Sequence, residues 1–182
     1  MKISRNPNKI DKKIRDMRIE LLKIKNVGAY TQLFEALCKR CLTIAVAENN
    51  CCEVAICCNV QTDKCIVYKG DESHVRIDNK EINVLAQGVP MVVVLCHNHP
   101  SSFYFSYADI ISFVDNSNLK YMIAVGNFRN VYYMEKTDSF DYNKALEIER
   151  ISENQAKQNN TSPRNEFLKR AYKCGILFER IG

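Results

Sequence analysis

Pro90-Met91-Val92-Val93-Val94-Leu95-Cys96 runs straight into His97-Asn98-His99-Pro100. The first part is β-branched and apolar on what would be both faces of an extended chain. Residues 91–96 therefore read as a central strand, buried on each side. Before it, residues 79–87 have the pattern of a helix ended by Gly88, and His74 to Ile77 reads as a short strand. Further upstream, residues 54–60 and 65–68 flank the turn Gln61-Thr62-Asp63-Lys64, the pattern of a β-hairpin. Downstream, a polar loop leads to a helix from Ser106 to Asn116, then to strands at 121–125 and 130–134. The fold class is α/β, a mixed central sheet with flanking helices.

Outside this core the period is helical. Ile10, Ile14, Met17, Leu21, Leu22 and Ile24 predict a helix over 9–25, stopped at Asn26-Val27-Gly28. A second helix is expected over 31–48, with Leu33, Phe34, Leu37, Leu42 and Val46 on its buried side. Residues 142–158 and 164–180 read as two more helices, joined by Gln158-Asn159-Asn160-Thr161-Ser162-Pro163. The expected division is an N-terminal helical arm (1–49), a core (50–136) and a C-terminal helical arm (137–182). The apolar stripes of the arms exceed what a solvated helix needs. At least one arm should pack on the core or on a partner chain, which makes the arms the expected route to an oligomer.

Composition narrows the classes. The chain has 182 residues, 46% hydrophobic and 26% charged, which suits a globular protein and excludes wholesale disorder. No apolar run approaches the ~20 residues of a membrane-spanning helix, so no membrane partner is expected. The charged N-terminus has no apolar stretch behind it and does not read as a secretory signal, which predicts a cytoplasmic protein. Lys and Arg outnumber Asp and Glu by 26 to 21. This excess is compatible with nucleic acid but does not argue for it, because the basic residues are scattered. Nine cysteines in such a chain are expected to stay as thiols.

Two of the chain's three histidines, His97 and His99, fall at the end of the buried strand. Residues two apart in an extended chain point to the same side, so both imidazoles can aim at one ion. Asp109 lies on the first turn of the next helix. Two His and one carboxylate form the ligand set of a catalytic zinc, Zn2+, with the fourth position left to water. Ser106-x-x-Asp109 also reads as an N-cap followed by an acid at N3, close to a capping box. Both roles stand together, since the cap fixes the helix start and so aims Asp109.

His97-Asn98-His99-Pro100 followed by Ser106-x-x-Asp109 resembles the JAMM (JAB1/MPN/Mov34) zinc metallopeptidase motif. The stretch Cys96-His97-Asn98-His99-Pro100-Ser101 is especially similar to the bacterial branch of RadC-like and phage- or mobile-element-associated JAB domains. The resemblance covers Glu53 to Met134. It implies a JAB/MPN-like sheet with cytidine-deaminase-like layering, and hydrolysis of an amide bond in a protein or peptide substrate. By that resemblance His97, His99 and Asp109 bind zinc and Ser106 steadies the oxyanion. An earlier-strand Glu serves as general base and acid, best matched by Glu53. Glu48, in a helix tail, and Glu72, in a loop, are its rivals. Ser102 stands where RadC-like proteins usually carry Gly. The core has no room for the insertions that bind ubiquitin in eukaryotic relatives, so the resemblance implies hydrolysis without implying ubiquitin. The aromatic run Phe103-Tyr104-Phe105 suits either loop packing or substrate contact.

Competing readings remain at this level. A JAB-fold scaffold or nucleic-acid-associated binding module would keep the fold without turnover, but would be expected to lose a ligand or the base. The letters His-Asn-His do not make an HNH nuclease, whose residues are spread over a ββα unit. Cys38-Lys39-Arg40-Cys41 lies inside a helix pattern without a partner pair at zinc-finger spacing. Cys51-Cys52 and Cys57-Cys58 face opposite ways, and the cysteines read as small buried apolar residues. Cys96 should face away from His97 and His99, and His74 has no partner nearby in sequence.

Overall fold

The computed structural model describes residues 23–100, 104–126 and 130–182. Its centre is a six-stranded mixed sheet of β1 (Val54–Asn59), β2 (Cys65–Lys69), β3 (Val93–His99), β4 (Leu119–Gly126), β5 (Val131–Lys136) and β6 (Ile176–Arg180). The spatial order is β2-β1-β3-β4-β5-β6. Only β3 and β4 run parallel; every other neighbouring pair is antiparallel. A parallel pair needs a crossover, and helix α3 (Tyr107–Asp115) supplies it. Among the described residues the remaining helices are α1 (Thr31–Glu48), α2 (Asn79–Ala86), α4 (Tyr142–Asn159) and α5 (Pro163–Leu168).

Alternation along the strands divides the core in two. Val54, Ile56, Cys58, Val94, Cys96, Ile123, Val125 and Val131 face α1. Ala55, Cys57, Val93, Leu95, Met122, Ala124 and Met134 face the layer made by the other helices. β1 and β3 are therefore buried at every residue. This is the environment expected of strands without a polar face.

The expected helix at 31–48 has those bounds, and Phe34 and Leu37 are buried as expected. Leu33 and Val46 are only half-buried; Cys38, Cys41, Ile44 and Ala45 carry the rest of the packed face. Phe34 is fully buried, with its ring 5.2 Å from Tyr121, 6.0 Å from Tyr133 and 5.9 Å from Tyr30. Phe34→Ala is expected to destabilise the fold by about 3–5 kcal/mol in denaturant unfolding. A change under about 1 kcal/mol would show that α1 does not belong to the core.

The structure corrects several expectations. Strand β3 runs over 93–99, not 91–96. Met91 takes a left-handed φ of 55° and belongs to the turn, where its N–H and that of Val92 reach Ser117 and Asn118 carbonyls. At the far end β4 continues alongside as far as Gly126, opposite His99, and keeps His97-Asn98-His99 in the strand. Residues 74–77 form no strand. The Asp71 carboxylate accepts the Ser73 and His74 N–H groups in a tight turn, and Val75 and Ile77 pack on the core from a loop.

The helix expected over 9–25 lies outside the described residues except at 23–25, which are not helical. There the Lys25 N–H donates to the Ile181 carbonyl at 2.7 Å. Asn26-Val27-Gly28 leads into α1 through a 3-10 turn over Gly28–Tyr30. Gly28 has φ 78°, and Asn26 Oδ1 accepts both its N–H and the Thr31 hydroxyl.

The helix expected over 164–180 is also corrected. α5 ends at Leu168, a 3-10 turn covers Ala171–Cys174, and residues 176–180 form β6 along β5. Gly175 makes the break. Its φ is 76°, and a Cβ there would lie 2.5 Å from the Ser139 carbonyl carbon. The described part of the expected N-terminal arm, residues 23–49, and the expected C-terminal arm are thus packed onto the sheet, and the latter completes it. Among the described residues no helix is long and apolar enough to cross a membrane.

Candidate metal centre

The neighbours of β3 leave space for its two imidazoles. His97 stands between Ala55 of β1 and Ala124 of β4, and His99 beside Gly126. Both rings lie on the α3 side and are nearly buried, at 3% and 8% exposure. Their Nε2 atoms are 2.8 Å apart. Asp109 arrives from the first turn of α3, with Oδ2 3.6 Å from His97 Nε2 and 3.4 Å from His99 Nε2. Tetrahedral bonds of about 2.1 Å hold ligand atoms roughly 3.4 Å apart. The two carboxylate separations are close to that value, and the His–His pair lies within reach of it. His97, His99 and Asp109 can therefore hold a metal ion.

The helix cap aims the carboxylate. Ser106 Oγ accepts the Asp109 N–H at 3.1 Å, and Asp109 Oδ2 accepts the Ser106 N–H at 2.6 Å, the complete capping box. The oxygen that faces the imidazoles is thus held from behind by a backbone donor. Burial pushes the Asp109 carboxyl up. The charge and hydrogen bond of His97, with hydrogen bonds from His99 and Ser106, outweigh this and hold it well below the usual range. At the other end of α3, buried Lys136 donates to the Val114 and Asn116 carbonyls at 3.2 and 2.8 Å. Its ammonium sits over the Phe113 and Phe140 rings. Burial pushes it down to about 8, with Asp115 pulling it back. This lysine fixes the helix that carries Asp109, and its sequence neighbours give no sign of it.

Glu53 lies immediately before β1. Its Oε1 is 3.9 Å from His99 Nδ1, on the ring edge away from the Nε2 pair. Burial pushes the carboxyl above its usual range, His99 pulls it back, and Asp109 adds to the rise. Its rivals stand elsewhere: Glu48 pairs with Lys69 at 2.8 Å, and Glu72 is exposed in its loop. His74 is exposed, with Nδ1 2.7 Å from the Ser73 hydroxyl.

Of the aromatic run, Phe103 lies outside the described residues, as do Ser101 and Ser102. Phe105 is fully buried, 6.1 Å from the His97 ring. Tyr104 packs on Tyr132 and Phe178, hydrogen-bonds Asn165, and lies under the Arg164 guanidinium at 4.1 Å. Both described members are packing residues, and they tie the loop before Ser106 to α5 and β6.

The cysteines form no second metal group among the described residues. Cys96 faces α1, as alternation predicts, with Sγ 3.9 Å from Cys38 Sγ. The expectation that every cysteine remains a thiol is corrected. Cys58 and Cys65 are paired in the β1–β2 register with Cα atoms 4.1 Å apart, and they are joined as a disulfide. No family model, curated protein or solved structure matches the chain.

Proposed function

We propose that the chain is a zinc-dependent metallopeptidase or isopeptidase of the JAMM type, close to the RadC-like JAB branch, with the sheet and α1–α3 forming a JAB/MPN-like layer arrangement. One observation carries this reading. A buried carboxylate, Glu53, stands beside the group that can hold a metal, without belonging to it. Two imidazoles and one carboxylate leave a fourth position open, the mark of a catalytic rather than a structural zinc site. Zinc in that site supplies Lewis acidity and lowers the pKa of water to roughly 7.

The chain's own residues do the rest. Glu53 takes a proton from the attacking water and returns it to the leaving amine. A carboxyl raised by burial suits both halves of that transfer. Ser106 offers its hydroxyl proton to the oxyanion that develops on the scissile carbonyl. Its lone pair accepts the Asp109 N–H, and the hydroxyl proton can turn from the Asp109 carboxylate to the oxyanion. His97 is held by strand pairing on both flanks, His99 by its pairing with β4, and Asp109 by its cap.

The test is metal analysis together with cleavage of peptide and isopeptide substrates. About one zinc per chain is expected, with hydrolysis abolished by chelation and restored by zinc. Metal ligands bind in their deprotonated form, so zinc should be released on acidification. Stoichiometric zinc with no cleavage of any amide would favour the scaffold reading. Absence of zinc binding at neutral pH would sink the metallopeptidase reading.

A further inference from the structure

Asn98 sits between the two histidines and points to the other side of β3. It is fully buried. Its Oδ1 accepts the Val54 N–H at 2.7 Å, and its Nδ2 donates to the Cys52 carbonyl at 3.3 Å. Those two backbone groups flank Glu53 on either side. The β1–β3 register ends at Ala55 and His97, one step short of this segment. The Asn98 side chain continues the pairing where the backbone ladder stops.

The rest of the Glu53 segment is held from other directions. Its N–H donates to the Asp71 carbonyl at 2.9 Å, and its carbonyl accepts from Gly70 N–H at 2.8 Å and Asn49 Nδ2 at 2.8 Å. The Cys41 thiol of α1 lies 3.3 Å from the Val54 carbonyl and 3.9 Å from Asn98 Oδ1. These contacts tie Glu53 to the hairpin and to α1. Asn98 ties it to the strand that carries the histidines.

We propose that Asn98 is a positioning residue. It clamps residues 52–54 to the histidine strand and so sets the place of the Glu53 carboxylate relative to His97, His99 and Asp109. The proposal rests on the metallopeptidase reading for its catalytic consequence, but the clamp itself is a statement about geometry. A general base works only within hydrogen-bond reach of its proton. A displacement of about 1 Å costs on the order of 10²-fold in rate. An amide is the side chain that can accept from one of these backbone groups and donate to the other.

The test compares Asn98→Leu, which removes both bonds at similar volume, with Asn98→Asp, which keeps an acceptor for Val54. Zinc content, kcat and KM are measured for each, and the Glu53 position is read from crystal structures of the zinc-loaded proteins. For Asn98→Leu we expect full zinc, KM within about twofold, kcat lower by about 10²-fold and a displaced Glu53 carboxylate. Asn98→Asp should recover at least about tenfold of the lost kcat. Amide exchange at Val54 in the unaltered protein needs neither variant nor substrate, and should be as slow as in the middle of β1. Fast exchange there overturns the clamp even if neither variant folds. An unmoved Glu53 in Asn98→Leu, or loss of zinc in step with activity, overturns it as well. If the unaltered protein cleaves no amide, the metallopeptidase reading fails while exchange and the Glu53 position still decide the clamp.

Discussion

Glu53→Gln is expected to lower kcat by roughly 10²–10⁴-fold while about one zinc per chain stays bound. The two side chains have nearly the same shape, so the packing before β1 should persist. Gln cannot take up a proton, and that is the function assigned to the carboxylate. Zinc should be retained because the metal-holding group consists of His97, His99 and Asp109, with Glu53 standing 3.9 Å from the far edge of the His99 ring. The measurement is steady-state hydrolysis with zinc quantified on the same sample. Full activity in Glu53→Gln would remove Glu53 as the base. Loss of zinc in parallel with activity would make it a ligand instead.

His97→Ala and Asp109→Asn should lose metal and turnover together. His97 is wedged between Ala55 and Ala124, and no other described imidazole but His99 stands at this site. Asp109→Asn is preferred to Ala because an amide oxygen can still accept the Ser106 N–H and keep the cap. It removes the charge without dismantling the start of α3. A metal that binds only the folded state stabilises it by about 4 kcal/mol when present at about a thousand times its dissociation constant. Thermal unfolding with and without zinc should therefore show a large rise for the unaltered protein and almost none for the two variants. A zinc-dependent rise in Asp109→Asn equal to that of the unaltered chain would exclude Asp109 as a ligand.

The parts of the molecule legible from sequence are those whose signals are local. The bounds of α1 follow from a long helical period, the β1–β2 hairpin from alternation around a polar turn, and the start of α3 from Ser106 and Asp109. The gathering of His97, His99 and Asp109 was legible because it needs only a strand end and a capped helix close together. Most of the parts missed depend on distant partners. Strand β6 is short and exists because β5 offers it an open edge; its one local sign is Gly175. The extension of β3 through His99 is set by the length of β4. The pairing of Cys58 with Cys65 follows from hairpin register, which a count of cysteines cannot give. Asn98 reads as a spacer between two histidines until its partners 44 and 46 positions away are seen.

The closing of the sheet by β6 sets a late step in folding. The Lys25 N–H meets the Ile181 carbonyl, and the Val131 N–H meets that of Gly182, so segments from opposite ends of the described chain lie side by side. Contacts that span so much sequence close a large loop, and their entropy cost must be met before they return any stability. The hairpin β1–β2 and the β3-α3-β4 crossover need no such closure. Refolding should therefore show the histidine strand protected from exchange before β6 is, and a chain arrested before residue 176 should expose the open edge of β5 to a second copy of itself.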